Sequence, residues 1–70
     1  MIKTYVNSSF VETISYNKET KEMEVVFKDN STIYKYNSVP HNIFTLFILA
    51  DSIGKFYNVV IKGNFDCQKT

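Results

Sequence analysis

The sequence predicts an α+β domain, a three-stranded antiparallel β-meander with two helices packed on one of its faces. Three observations carry that expectation. Apolar and polar residues alternate with a period of two from Phe10 to Tyr36, and from Pro40 onward the apolar spacing becomes helical. The chain has 70 residues, 44% of them hydrophobic and 16% aromatic, which suffices for one thin core. One domain is therefore expected over 1–70, with its core at about 6–65 and a short tail at 66–70.

The first strand is read from Phe10 to Tyr16, with Phe10, Glu12, Ile14 and Tyr16 on one face and Val11, Thr13 and Ser15 on the other. Asn17-Lys18-Glu19-Thr20 breaks the alternation. Met23, Val25 and Phe27 then alternate with Glu22, Glu24, Val26 and Lys28 to make the second strand. Asp29-Asn30 tolerates the positive φ of a two-residue turn, and Ile33-Tyr34-Lys35-Tyr36 is the third strand. A tight turn there pairs Lys28 with Ser31, which sets Val25 opposite Tyr34, Met23 opposite Tyr36 and Glu24 opposite Lys35, a favourable cross-strand charge pair. The first turn likewise sets Tyr16 beside Met23 and Ile14 beside Val25. One face thus collects Ile14, Tyr16, Met23, Val25, Phe27, Tyr34 and Tyr36, and it is the expected core.

Pro40 suits the first turn of a helix, where its missing N–H does no harm. The apolar run from Ile43 to Ala50 follows, interrupted only by Thr45. Ile43, Leu46, Phe47 and Ala50 are expected to cover the sheet, leaving Phe44, Ile48 and Leu49 to point elsewhere. Ser52 caps a second helix in which Ile53, Phe56, Tyr57, Val60 and Ile61 recur at helical spacing, with Gly63 as its stop. The β-branched run Val59-Val60-Ile61 leaves a fourth strand as the alternative. The chain beyond Phe65 is expected to fray.

Charge and composition exclude several function classes. Eight basic and seven acidic residues leave a net charge of +1, so no strong field marks a nucleic-acid, membrane or acidic partner. All eight cations are lysine, and Asn, Lys, Ile, Phe and Tyr fill 33 of 70 positions, a bias towards AT-rich codons that points to a low-GC bacterium or a phage. Without arginine, bidentate readout of phosphate or guanine by a guanidinium is excluded. One cysteine and one histidine make neither an internal disulfide nor a zinc site, so no metal or cofactor is expected. The N-terminal segment shows no signal-peptide pattern and no apolar run reaches membrane-spanning length, so the expected location is the cytoplasm of a bacterial cell, or of a host cell if a phage encodes the protein.

Catalysis finds little support. His41 at a helix start, Ser8, Ser9 and Cys67 show no nucleophile pattern, and Gly54 and Gly63 do not make a phosphate-cradling loop. No enzyme is expected. Lys55, Asn58 and Lys62 fall at i, i+3 and i+7, one face of a helix that can follow a phosphate backbone, although such a stripe is more commonly a solvated face. Tyr34 and Tyr36 are candidates for base stacking, set against the simpler role of filling the core.

The order of landmarks resembles the KTSC domain, a short module found alone in bacterial and phage proteins and at the C-terminus of some lysyl-tRNA synthetases. The matching residues are Ser8-Ser9, Ile14, Tyr16, Val25, Phe27, the Tyr34-Lys35-Tyr36 triplet, Val39-Pro40, and Ala50-Asp51-Ser52-Ile53-Gly54-Lys55-Phe56-Tyr57-Asn58 with Ile61. They span about Val6 to Phe65. The resemblance implies no established activity; RNA binding is the role suggested for such domains. Where relatives often carry arginine around the Asn-x-x-Ile stretch, this chain has lysines only.

The expected function is therefore a non-catalytic binding module for RNA or single-stranded DNA. Lys55, Asn58 and Lys62 would lie along the backbone, and Tyr34 or Tyr36 would stack if exposed. The alternative is a phage or mobile-element protein that works by protein–protein contact, for example inhibiting a host or defence factor, with Phe44, Ile48 and Leu49 as the partner or dimer surface. A small oligomer that holds a nucleotide between subunits is a third reading.

Overall fold

The computed structural model describes residues 2–29 and 32–69. Among them, β1 (Ile2–Tyr5), β2 (Val11–Asn17), β3 (Glu22–Phe27), β4 (Ile33–Tyr36) and β5 (Cys67–Lys69) form one antiparallel sheet whose spatial order is the chain order. Between β4 and β5 the chain passes through α1 (His41–Ile48) and α2 (Ile53–Phe56), and α2 runs on into a π-helical turn, Tyr57–Ile61. No helix among the described residues is long and apolar enough to cross a membrane.

The central strands pair as the alternation requires. Tyr16 lies opposite Met23 and Ile14 opposite Val25, while Met23, Glu24 and Val25 face Tyr36, Lys35 and Tyr34. Asn30 and Ser31 of the expected tight turn lie outside the described residues. The loop between β2 and β3 is organised by Asn17, whose Oδ1 accepts from the amides of Glu19 and Thr20 at 3.0 and 3.4 Å. Lys21, at φ 60°, closes it by donating its amide to the Asn17 carbonyl at 2.7 Å. The charge pair on the open face differs from expectation. Although Lys35 sits opposite Glu24, its ammonium reaches diagonally to Glu22 at 3.1 Å. That hydrogen bond, with a second from Thr20, holds the Glu22 carboxyl below its ordinary range.

The sheet has five strands rather than three. β1 was not expected, and β5 replaces the expected fraying tail. Both are edge strands held by backbone pairing to β2 and β4. Ile2, Lys3 and Tyr5 of β1 and Cys67 and Gln68 of β5 are exposed, so these segments carry no strong alternation. A second correction lies in β2. An irregularity between Val11 and Thr13 sets Val11 opposite Phe27 and Thr13 opposite Val26, so the chain gains one unpaired residue, Glu12. The slip returns Val11 to the inner face, where it is fully buried, instead of the outer face read from strict alternation.

The core lies between the sheet and the helices. Ile14, Tyr16, Met23, Val25, Phe27 and Tyr36 meet Val39, Phe44, Phe47, Ile53, Tyr57 and Ile61. Tyr34 stays half-buried at the rim. Tyr16 is the central post of this layer. Its ring stacks on Phe44 with centroids 4.8 Å apart, and its hydroxyl donates to the Val39 carbonyl at 2.6 Å. Burial pushes its phenol pKa up.

Pro40 stands just before α1 in extended conformation rather than inside its first turn, and its carbonyl accepts from the Ile43 and Phe44 amides. The rotation of α1 overturns the expected division of its apolar faces. Phe44, expected outward, is 4% exposed, because its ring finds Tyr16. Leu46, expected on the sheet, is 54% exposed and Leu49 is 72% exposed. Ile43, Ile48 and Ala50 pack half-buried against the core. The second segment is helical, not a strand: Ser52 Oγ accepts from the Lys55 amide at 3.2 Å as expected of a cap. The chain leaves the helix at Lys62, which is extended at φ −64° and ψ 123°, and Gly63, at φ 83°, follows it in a turn closed by the Asn64 amide donating to the Ile61 carbonyl at 3.2 Å.

Candidate functional site

A cleft of about 290 Å³ opens between the end of β3, the start of β4 and the π-helical turn. Ser8 prepares one wall. Its Oγ accepts from the amides of Phe10 and Val11 at 3.1 and 3.2 Å, which fixes the entry into β2, and the Lys28 amide donates to the Phe10 carbonyl at 3.2 Å. The Phe10 ring lies 5.0 Å from Phe27 and 5.9 Å from Tyr57, and it packs beside Gly54 of α2. Phe27 is the floor, with Tyr34 at 5.2 Å and Tyr57 at 5.4 Å in edge-to-face contact. Phe27 and Tyr57 are buried, so the accessible ring surface comes from Phe10 and Tyr34.

The polar groups divide between two sides. Asp29 and Thr32 come from the strand connection, Asn58 and Lys62 from the π-helical turn and its end. That turn is defined by the Lys62 amide donating to the Tyr57 carbonyl at 2.8 Å, an i→i+5 bond. Its position is set by a buried hydrogen bond between the Tyr57 and Tyr36 hydroxyls, 2.7 Å apart, which ties it to β4. Burial first, and then this bond, push the Tyr36 phenol far above the ordinary tyrosine range, with the Cys67 thiol beside it adding to the effect. Tyr57 is also pushed up by burial.

Of the five candidate nucleic-acid contacts, Tyr34, Asn58 and Lys62 come together in this cleft. Tyr36 does not: it is 2% exposed, and its hydroxyl is engaged with Tyr57. Lys55 lies apart, lining a separate hollow of about 360 Å³ with Ala50, Asp51, Phe56, Val59 and Val60. Two α-helical turns would align positions 55 and 62, but the wider π turn winds less per residue and swings them apart. Of the candidate partner surface Phe44, Ile48 and Leu49, only Leu49 is well exposed; Phe44 is in the core and Ile48 half-buried. His41 and Cys67 are exposed, on α1 and β5. Among the described residues no group of three His, Cys, Asp or Glu side chains is placed to share a metal ion.

Sequence reasoning placed Phe10 and Tyr57 only as strand and helix residues, and it passed over Asp29 and Thr32. Phe10 and Tyr57 lie 47 positions apart, and only the packing of α2 over the β2 entry brings them together.

The KTSC domain family model matches residues 7–65, which contain every residue of the cleft. The chain belongs to the KTSC domain family. An uncharacterized protein of Stutzerimonas stutzeri (strain A1501) is 31% identical over 62 residues, spanning 89% of this chain and 86% of that protein. The crystal structure of a KTSC domain protein from Yersinia pestis superposes with a TM-score of 0.91 at 33% identity, covering 99% of this chain and 96% of that one. The likeness of this KTSC domain to that structure therefore extends over the edge strands outside the family match.

Proposed function

We propose that this KTSC domain is a non-catalytic binding module for single-stranded nucleic acid, RNA or DNA, and that the cleft takes one unstacked base. The observation that carries the reading is the convergence of partly exposed Phe10 and Tyr34 rings with Asn58 and Lys62 around one opening. Aromatic faces accept bases by stacking, and a lysine at the mouth neutralises the adjoining phosphate. The π-helical turn supports the same reading, since such turns recur at functional sites.

Fluorescence anisotropy with a labelled single-stranded decamer tests it. Binding should weaken steeply as salt rises from about 50 to 200 mM. Tyr34→Ala should lose about 5- to 150-fold in affinity, the range of one base–aromatic stack. Lys62→Ala should lower both affinity and the salt slope, while Lys55→Ala should do neither. Binding unchanged by Tyr34→Ala and Lys62→Ala would refute the site.

A second reading rests on a separate surface. Leu46 on α1 and Leu49 just beyond it are exposed, the chain continues at Ala50 into the hollow lined by Ala50, Phe56 and Val59, and Val59 is itself 66% exposed. On this reading the domain works by protein–protein contact, as a homo-oligomer or on another protein. Light scattering of the wild type and of Leu49→Ser separates the two: a dimer that dissociates in the variant favours it, and a monomer that binds the decamer favours the cleft.

A further inference from the structure

We infer that the base taken by the cleft is guanine, recognised by the Asp29 carboxylate through N1–H and the N2 amino group. The inference rests on the nucleic-acid reading above and deepens it. Among the described residues Asp29 is the sole carboxylate lining the cleft, and it comes from the strand connection, whereas Asn58 and Lys62 come from the π-helical turn and its end. This arrangement gives the opening a direction. A phosphate is repelled from the Asp29 side and drawn to Lys62, so a nucleotide lying on Phe10 and Tyr34 presents its base edge to Asp29.

A carboxylate is acceptor-only, and its two oxygens match a partner with two adjacent donors. Guanine alone among the common bases offers this, with N1–H beside the N2 amino group. Adenine and cytosine place an acceptor ring nitrogen next to their single amino group, which would face the carboxylate lone pairs. Uracil and thymine place their one N–H between two carbonyl oxygens. From the helical side, the Asn58 NH2 group can donate to the O6 or N7 acceptor of the same base. A cation is the other partner for a carboxylate, but a single carboxylate sharing its cleft with Lys62 is poorly suited to hold one. The volume, about 290 Å³, is near the lower limit for small-molecule pockets and suits one nucleotide.

The test uses the full chain and two kinds of probe. The first is a single-stranded A decamer with or without one central G, and the second is free GMP, IMP and AMP followed by NMR. The decamer with G should bind about 5- to 150-fold more tightly than the all-A decamer, the range of one bidentate base contact. IMP, which lacks only the N2 amino group, should bind more weakly than GMP. Asp29→Asn should abolish the G preference, and its circular dichroism should match the wild type. GMP selectivity without any decamer binding would keep guanine as the ligand and make the source a free nucleotide. Equal binding of both decamers, still lost in Tyr34→Ala, would overturn guanine selection and leave the nucleic-acid reading standing. No binding of any probe would overturn both.

Discussion

The hydroxyl pair Tyr36–Tyr57 is the joint between the sheet and the turn that carries Asn58 and Lys62, and its removal has a calculable cost. Replacing either tyrosine by phenylalanine keeps the ring and opens no cavity, so the change isolates one buried hydrogen bond of 2.7 Å. A buried hydroxyl left without a partner costs about 1–3 kcal/mol, whereas removing both partners is close to neutral. The two single substitutions should not be equal. In Tyr57→Phe the Tyr36 hydroxyl can still use the adjacent Cys67 thiol, so the loss should fall near 1 kcal/mol. In Tyr36→Phe the Tyr57 hydroxyl loses its hydrogen bond to Tyr36, and the loss should approach about 2–3 kcal/mol. The double variant, close to neutral, should be less destabilised than the sum of the singles by about 3 kcal/mol, the coupling that a double-mutant cycle reads. Urea denaturation measures all four proteins, with an unchanged m-value required for the comparison. Two singles each within about 0.3 kcal/mol of wild type, and additive, would refute the reasoning: the hydroxyls would then be solvated rather than bonded to each other.

Other perturbations probe the same packing. Tyr16, Tyr36 and Tyr57 all have folded pKa values raised by burial, so their contribution to stability is fully present below the unfolded value near 10 and is lost as pH rises beyond it. Urea midpoints should therefore fall as pH rises above about 10; a flat profile there would contradict their burial. The two glycines should respond with opposite signs. Gly63→Ala, at φ 83°, should cost about 1 kcal/mol or more, while Gly54→Ala, whose new Cβ would meet Phe10 at an ordinary 3.6 Å, should gain about 0.5–1 kcal/mol in thermal denaturation. Phe44→Ala should destabilise by about 3–5 kcal/mol and Leu49→Ala by less than about 0.5 kcal/mol, a contrast in denaturant midpoint that checks the rotation of α1.

The α+β class, the pairing of the three central strands, the Ser52 cap and most of the core are legible in the chain alone. Each of these is written in a local pattern: a period of two for Met23, Val25 and Phe27, or a hydroxyl three residues ahead of an orphan amide. The family resemblance was legible for the same reason, because its landmarks stand in linear order. The rest follows from contacts between distant parts of the chain. β1 and β5 exist because β2 and β4 offer unpaired backbone, an interaction that leaves almost no signature in side chains. Phe44 turned inward because the Tyr16 ring was there to stack on, and the irregularity at Glu12 was needed to bring Val11 back to the core. Of the candidate site, Tyr34, Asn58 and Lys62 were readable as residue types, but their meeting with Phe10 and Asp29, and the separation of Lys55, were not. A helical wheel assumes one pitch throughout, and the change to π geometry at Tyr57 is imposed by packing across the sheet and the buried bond to Tyr36. Contacts between residues distant in the chain are set by that three-dimensional packing, which no local periodicity encodes.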